Sequence, residues 1–386
     1  MLKNKNKMLI SFVFLLLFLQ IRPLVVFAQQ GPNPRDFWHV FERGKLMFRQ
    51  GDYSGAFNAF EDAKRQKFLF FERLEKDLID LLSISEVRRM GDALDWVERF
   101  IQERHYAGAA DALEELYYRI PKEKFNNSAK AALAALGSLK EFPEAERCLG
   151  DVYLIEGELD LALRQFQKAL ALNNSGDAPD METELLYKIA EIRRTRQEYN
   201  EMERTLLAIL KKDRLWSSIA EKVNNNEVPF ILQAMNRTLI NNGINQFITQ
   251  YRYKNDESAE AHRLLGFYYC LSGRPRAQEH LMFAFLIQNT VIIEELTLQR
   301  FDFTYTRHDA LIAEINRSPL LSDYAAKNEY FKTAYYLGAS LYGNGNTASA
   351  REIWNFLSTF SAAGEWRNRA IAQLRSPHNE RNVEMP

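Results

Sequence analysis

The stretch that decides the fold is RGKLMFRQGDYSGAFNAFEDAKRQ, at residues 43–66. Its small and large apolar residues recur every three or four positions, which is the period of an amphipathic α-helix. Gly51 and Asp52 interrupt that period once, so the stretch predicts two helices joined by a tight turn. The residues expected to pack the two helices together are Gly44, Gly51, Ala56, Phe60 and Ala63.

The same arrangement returns at residues 146–174, which read ERCLGDVYLIEGELDLALRQFQKALALNN. Six residues keep the offsets of the first stretch, namely Gly150, Tyr153, Gly157, Ala162, Phe166 and Ala169. Agreement at fixed offsets in two distant stretches indicates an internal repeat rather than a coincidence of composition.

Two further stretches keep the glycines of this pattern, and two weaker copies lie around Tyr106 and Ala190. Residues 335–357 carry Gly338, Gly345, Ala350 and Trp354 at the same offsets, and residues 262–285 carry Gly266 and Gly273. A glycine or alanine where two helices cross lets their backbones approach closely, and the bend glycine supplies a permissive backbone. A single helix pair cannot bury its apolar face, so neighbouring pairs must stack.

These residues resemble the tetratricopeptide repeat (TPR), a helix-turn-helix unit of about 34 residues. The resemblance implies an all-α fold, a right-handed α-solenoid of stacked helix pairs. We expect an N-terminal arc at residues 34–214, a C-terminal arc at 228–375 and a disordered polar tail at 376–386. Degenerate helices are expected at 68–89 and 128–139, whereas 222–258 and 286–325 fit the repeat least well.

The N-terminus has the order of a secretory signal peptide, with lysines, an apolar run and Ala28 at the expected cleavage point. The alternative is an uncleaved membrane anchor, which Arg22 and Pro23 disfavour. Cleavage after residue 28 would remove four positive charges and no acid, changing the formal net charge from −1 to −5. A mildly acidic, exported chain is expected to be periplasmic or secreted, with no nucleic acid as partner.

Motifs for catalysis or cofactor binding do not stand out. Six histidines are scattered without a zinc-binding spacing, and Cys148 and Cys270 are far apart in helical stretches, where we interpret them as small core residues. The stretch YGNGNTAS at 342–349 lacks the lysine of a phosphate-binding loop. We therefore expect no enzyme activity, no cofactor and no metal.

A binding surface is the remaining expectation. In the TPR family the first helix of each pair lines the concave face, and this resemblance implies a groove formed by Arg147, Asp151, Leu154, Tyr187, Glu191, Arg194, Arg263, Phe267, Lys332, Tyr335 and Tyr342. Trp38 and Phe41 are equivalent positions in the first pair, or else pack against a capping segment. Aromatic residues and arginines are enriched in protein interfaces. Family members that bind acidic chaperone tails carry lysine and asparagine where Arg147, Asp151, Tyr187 and Glu191 stand, which disfavours that ligand.

The sequence thus favours a non-catalytic scaffold of the bacterial cell envelope that holds one or more envelope proteins. It could belong to a larger assembly, such as a secretion apparatus or a flagellar motor, with or without self-association. The alternative is an enzyme, or its accessory subunit, that acts on peptidoglycan or other envelope glycans. The least repeat-like stretches, 222–258 and 286–325, are the only room for a catalytic segment.

Overall fold

The computed structural model describes residues 34–82, 99, 141–173, 181–224 and 229–380. Among these residues it contains fifteen α-helices and no β-strand, which confirms the all-α expectation. The helices are α1 (Pro34–Arg49), α2 (Tyr53–Leu82), α3 (Pro143–Ile155), α4 (Leu159–Ala171), α5 (Met181–Thr195), α6 (Tyr199–Leu210), α7 (Arg214–Asn224), α8 (Phe230–Gln250), α9 (Asp256–Ser272), α10 (Ala277–Gln299), α11 (His308–Arg317), α12 (Pro319–Lys327), α13 (Tyr330–Gly343), α14 (Thr347–Thr359) and α15 (Glu365–Arg375). The predicted signal at 1–28, the weak copy around Tyr106 and the predicted helix at 128–139 lie outside the described residues.

The chain divides into two compact units, Met1–Lys188 and Ile189–Pro386. The boundary falls inside α5, whereas the sequence placed it between residues 214 and 228. The predicted boundary lies where the repeat pattern is weakest, at residues 222–258, whereas α6 packs against α9 within the second unit.

Unit 1 contains two helix pairs, α1 with α2 and α3 with α4, each closed at the predicted bend. Gly51 and Gly157 lie at the bends with φ of 83° and 81°, a left-handed conformation that glycine adopts without strain. At the helix crossings, a Cβ added to Gly44 or Gly150 would lie 2.7 or 2.5 Å from the ring of the phenylalanine opposite. The predicted packing glycines therefore do two different jobs, one at the bend and one at the crossing.

Unit 2 repeats this geometry in α9 with α10 and in α13 with α14. Gly273 and Gly345 take positive φ at the bends. A Cβ on Gly266 would meet Leu281 at 2.6 Å, and one on Gly338 would meet the indole nitrogen of Trp354 at 2.7 Å. The same offsets thus produce the same close crossing in both units.

The pair α5 and α6 achieves the bend without glycine. Gln197 takes its place with φ of 59°. The Arg193 side chain in α5 donates to the Glu201 carbonyl oxygen at 2.9 Å and to Thr205 Oγ1 at 2.5 Å, both in α6. Polar contacts thus join the two helices, and Ala190 in α5 and Met202 in α6 are both buried.

Aromatic side chains fill the core of unit 1 around Phe142, the residue that precedes α3. Its ring centroid lies 5.0 Å from those of both Trp38 and Phe41 and 5.7 Å from that of Phe37. Phe41 is buried and Trp38 partly buried, so these two residues pack in the interior. Phe41 therefore packs in the interior against Phe142 and does not face a groove, and its predicted contact with a capping segment stays a prediction.

Helix α10 is the central core helix of unit 2. Among the described helices, this helix of 23 residues is the one long and apolar enough to cross a membrane. Its most apolar stretch of 18 residues has a mean hydropathy of 1.5, and 72% of that stretch is buried within the protein. Its apolar residues point in all directions, as expected for a helix surrounded by others. The loop that follows, residues 300–307, is non-helical, with Phe301 exposed and Tyr305 buried.

Helix α8 is broken at Gly243, whose φ of 79° and ψ of 176° are not helical. Glu352 on α14 occupies the break, and its Oε1 accepts a hydrogen bond from the Ile244 backbone N–H at 3.2 Å. Burial raises the pKa of Glu352 above its ordinary value. This contact explains why residues 222–258 fit a regular repeat least well: α8 consists of two helical segments joined at a glycine.

Candidate functional site

The predicted groove residues divide between the two units, and we describe each set within its own unit. Unit 1 holds Arg147, Asp151, Leu154 and Tyr187. Unit 2 holds Glu191, Arg194, Arg263, Phe267, Lys332, Tyr335 and Tyr342.

In unit 1 two of the predicted residues, Arg147 and Asp151, belong to a network of four charged side chains that joins α3 to the beginning of α5. Arg147 Nη1 lies 2.9 Å from Glu184 Oε1 and 3.2 Å from Asp151 Oδ2. Lys188 Nζ lies 2.8 Å from Asp151 Oδ1. Two cations thus alternate with two anions across neighbouring first helices, and the sequence named Arg147 and Asp151 but missed Glu184 and Lys188.

The network, which we call the α3–α5 charge network, remains open to solvent. Arg147 is 23% exposed and Glu184 48% exposed. Tyr187 and Leu154 are half-buried beside it, and Ile155 at the end of α3 is 49% exposed. Ion pairs at such exposure contribute about 0–1 kcal/mol to the free energy of unfolding, so their charges can be re-paired with a partner at little cost.

In unit 2 the corresponding residues are mostly buried. Phe267 is 0% and Tyr335 1% exposed, so the structure places both in the interior and corrects their prediction as groove-facing side chains. Both lie on first helices, but each such helix contacts neighbours on several sides: Phe267 packs against Tyr336, and Tyr335 against Trp366. Offsets from the bend glycine cannot reveal a helix such as α15 that covers them.

Lys332 and Arg263 are also buried, at 8% each, and share Glu329 as their anionic partner. Lys332 Nζ lies 3.0 Å from Glu329 Oε1, and 5.0 Å from the centroid of the Phe267 ring. Burial, and then the positive charge of Arg263, lowers the pKa of Lys332 to about 8. The remaining pair, Glu191 with Arg194, lies at 2.5 Å along α5, one turn apart.

Tyr335 and Tyr342 contact the chain's own C-terminal segment, residues 376–380. Tyr335 donates its phenolic hydrogen to Glu380 Oε2 at 2.6 Å, and Tyr342 donates to the Pro377 carbonyl oxygen at 3.4 Å. The predicted disordered tail is therefore wrong for residues 376–380; residues 381–386 lie outside the described part. The polar composition of the tail does not indicate this contact, because the side chains that it contacts, Tyr335 and Tyr342, are distant in the sequence.

Helix α15 supplies the residues around Glu380 that the sequence did not single out. Gln373 is 0% exposed, and its Nε2 donates to Glu380 Oε2 at 2.8 Å. Arg369 lies 3.8 Å from Glu380 Oε1 and 4.9 Å from the centroid of the Trp366 ring. The offsets of the repeat do not predict α15. Only the spacing of Trp366, Arg369 and Gln373, which places them on one helix face, could have suggested it.

Three histidines in unit 2 are buried. His262 and His280 contact each other and Trp216, and His308 contacts the Tyr330 hydroxyl through Nε2 at 3.1 Å. Burial lowers the pKa of His262 and of His308 to about 3 and that of His280 well below its ordinary value, so all three are neutral at pH 7. Among the described residues, no group of three or more histidine, cysteine or acidic side chains is placed to hold a metal ion.

The two cysteines are free thiols. Burial raises the pKa of Cys148 to about 11 and that of Cys270 to about 12. Both therefore remain protonated at pH 7, in the form that is a poor nucleophile and a poor metal ligand. Cys148 packs in the core of unit 1, as expected.

No model of a known protein family matches the chain. The chain is 25% identical over 353 residues to an uncharacterized protein of Treponema pallidum (strain Nichols), and the match covers 89% of this chain and 90% of the relative. The similarity therefore extends over both units and is not confined to a single repeat.

Proposed function

We propose that this protein is a non-catalytic scaffold of the bacterial cell envelope, which binds partner proteins on the first-helix face of a right-handed, TPR-like solenoid. The observation that carries the proposal is the α3–α5 charge network, because it joins first helices of neighbouring repeats and stays partly exposed. Arginine and aromatic residues, such as Arg147 and Tyr187, are enriched in protein interfaces, whose rims are polar.

One further observation supports the envelope as the location, and a second supports a bacterial source. The N-terminus has the form of a bacterial secretory signal. The relative that matches nearly the whole chain is a protein of a bacterium. A partner-holding role within a larger assembly, such as a secretion apparatus or a flagellar motor, is consistent with both.

The network also suggests how a partner binds. Arg147 and Lys188 are neutralised by Asp151 and Glu184 in the free protein, so a partner charge exchanges one ion pair for another. Exchange of this kind contributes to specificity and association rate more than to affinity. The half-buried Tyr187 and Leu154 supply the apolar contact area on which affinity depends.

Photo-cross-linking in the source cells tests the proposal. Benzoylphenylalanine replaces Tyr187, and in a matched control it replaces Gln167, an exposed residue on the second helix α4. We expect one or a few exported proteins to be linked through position 187 and not through 167, and to be lost when Arg147→Glu is added. Equal labelling at both positions, or none above background, would contradict a first-helix binding face.

A digestion assay addresses enzymatic action directly. Purified mature protein is incubated with peptidoglycan sacculi, and soluble fragments are measured by mass spectrometry. The scaffold proposal expects no fragments beyond those of a heat-denatured sample. Release of fragments that depends on folded protein would overturn the non-catalytic assignment.

A further inference from the structure

The C-terminal segment of unit 2, residues 376–380, is non-helical and contacts two tyrosines of α13. Its Pro377 carbonyl oxygen accepts from Tyr342, and its Glu380 carboxylate accepts from Tyr335. The two tyrosines are seven residues apart on one helix face, which corresponds to about 10 Å along the axis. Residues 377 and 380 contact the two tyrosines in the reverse order of the helix, so the segment bridges them.

Glu380 is held by a set of polar groups that fit a carboxylate. Oε2 accepts from the Tyr335 hydroxyl at 2.6 Å and from Gln373 Nε2 at 2.8 Å, and lies 3.7 Å from His378 Nε2. Arg369 Nη1 lies 3.8 Å from Oε1. Tyr335 and Gln373 are themselves buried, and the carboxylate is 14% exposed, so the site is built into the fold and yet reachable from solvent.

Gln373 also binds the backbone of the segment. Its Oε1 accepts from the His378 N–H at 2.9 Å, while its Nε2 donates to the Glu380 side chain. One buried amide thus fixes both the main chain and the acidic side chain of the bound segment. This pairing selects an extended backbone with a carboxylate two residues further on.

Several cations lie near the site, and Glu329 pairs with two of them, Lys332 and Arg263. The centroid of the Trp366 ring lies 4.9 Å from Arg369 and 5.8 Å from Lys332. The lowered pKa of Lys332 reflects burial and the nearby cations Arg263, Arg194 and Arg369, which Glu365 only partly offsets. An additional carboxylate is favoured in such a region, because it relieves repulsion between cations.

We infer that the seat formed by Tyr335, Gln373 and Arg369 is a binding site for an extended, glutamate-bearing segment of a partner protein, and that residues 377–380 occupy it in the free protein until the partner displaces them. This inference rests on the proposed scaffold function and names the chemistry of one ligand. The residues that disfavour an acidic chaperone tail are not part of this seat; they are Arg147, Asp151, Tyr187 and Glu191.

Displacement is feasible because the segment in place holds on through few contacts. Apart from the Glu380 carboxylate, its polar contacts are those of Tyr342 and Gln373, and His378 is 63% exposed. Its advantage is its covalent connection, which provides an effective concentration in the millimolar range or above. A partner held elsewhere on the scaffold gains a similar advantage and can compete.

A peptide-binding measurement tests the inference with the full mature chain. The probe is fluorescein-labelled LRSPHNERN, residues 374–382, and its control carries glutamine in place of Glu380. Fluorescence anisotropy is measured with wild type, with Glu380→Gln, and with Glu380→Gln combined with Arg369→Gln. The matched control for the last substitution is Arg375→Gln, at an exposed position of the same helix.

We expect Glu380→Gln to bind the probe at least about tenfold more tightly than wild type, because the seat is freed. Adding Arg369→Gln should weaken binding about tenfold, whereas adding Arg375→Gln should not, and the control peptide should bind weakly. Equal binding of the probe to wild type and Glu380→Gln, or no binding to either, would overturn the inference. Circular dichroism of each variant verifies that it is folded.

A competition arm separates a protein segment from a small carboxylic acid. A large molar excess of glutarate should leave the bound probe in place, because Gln373 also requires the peptide backbone. Displacement of the probe by glutarate alone would overturn the assignment to a protein segment. Partner capture through Tyr187 tests unit 1, so the scaffold proposal stands or falls separately from this site.

Discussion

The Nδ1 atoms of His262 and His280 lie 3.0 Å apart in the interior of unit 2. One imidazole must carry hydrogen on Nδ1 and the other must accept it, so the two rings hold different tautomers. Trp216 contacts both rings, with centroid distances of 4.7 and 4.5 Å. The cluster is stable only with both histidines neutral, because two imidazolium ions at this distance would repel each other in a dry environment.

Because of the buried histidines, we expect the protein to lose stability in acid. The folded-state pKa values of His262, His280 and His308 lie below the ordinary value of 6.5, so the unfolded chain binds more protons at any pH between about 3 and 6.5. The free energy of unfolding should fall as pH drops below 6.5, by about 2 kcal/mol per buried histidine at pH 5. Urea denaturation at pH 7.5 and 5.0 measures it.

The variant that isolates this effect is His280→Gln, compared with His39→Gln at an exposed position in α1. The first should destabilise the protein at pH 7.5 but reduce the difference between the two pH values. His39→Gln should leave that difference unchanged. If both variants keep the wild-type pH dependence, the buried histidines do not cause it.

Gly150→Ala should lower the stability of unit 1. The new Cβ would lie 2.5 Å from the Phe166 ring, so helix and ring must move apart. We expect a net cost of about 1–2 kcal/mol, since overpacking outweighs the better helix propensity of alanine. Thermal melting should show the loss, and Phe166→Leu in the same chain should recover part of it.

The control is Gly343→Ala, where the added Cβ would meet only Asn379 Oδ1 at an ordinary 3.8 Å. This change should be neutral or slightly stabilising. A Gly150→Ala protein that melts at the wild-type temperature would show that the crossing in α3 and α4 is looser than described.

Gln197→Gly should stabilise the pair α5 and α6. Gln197 has φ of 59°, and a residue with a Cβ is strained there, whereas glycine is not. The greater conformational freedom of glycine in the unfolded chain offsets part of this gain. The net increase in the free energy of unfolding should be about 0.5 kcal/mol. Chemical denaturation of Gln197→Gly beside Gln197→Ala measures the difference, and equal midpoints would contradict the backbone argument.

Asp213→Ala should destabilise unit 2. Its Oδ1 accepts from the Trp216 N–H at 3.0 Å, which caps α7, and also from the Tyr253 hydroxyl. Loss of the cap and of the acceptor of the half-buried Tyr253 hydroxyl should cost about 2 kcal/mol. Ser218→Ala, at an exposed position of the same helix, should change the melting temperature little; similar effects of the two substitutions would refute the capping role.

The helix pairs could be predicted from the sequence because each bend and crossing requires a small residue at a fixed offset. Gly44, Gly150, Gly266 and Gly338 lie at close crossings, as those offsets indicate. Exposure could not be predicted in the same way. Phe267 has the offset of an outward-facing residue, but α13 and Tyr336 cover it.

Long-range side-chain pairing accounts for most of what the sequence left out. Glu184 and Lys188 join the α3–α5 charge network only because α5 lies beside α3, and Gln373 meets Glu380 only because the chain reverses after α15. Neither arrangement leaves a local pattern. Gln197 is a similar case, since its left-handed backbone is imposed by the helices on either side.

The open space at the bends has an evolutionary consequence. A Cβ added at Gly51, Gly157, Gly273 or Gly345 would meet nothing within 4 Å, whereas one added at a crossing glycine would collide with a ring or a leucine. Mutation at a bend therefore costs only backbone strain, and Gln197 is an instance of that tolerance. We therefore expect related sequences to differ at the bend glycines more often than at the crossing glycines, so that the repeat pattern is lost at the turns before it is lost at the helix crossings.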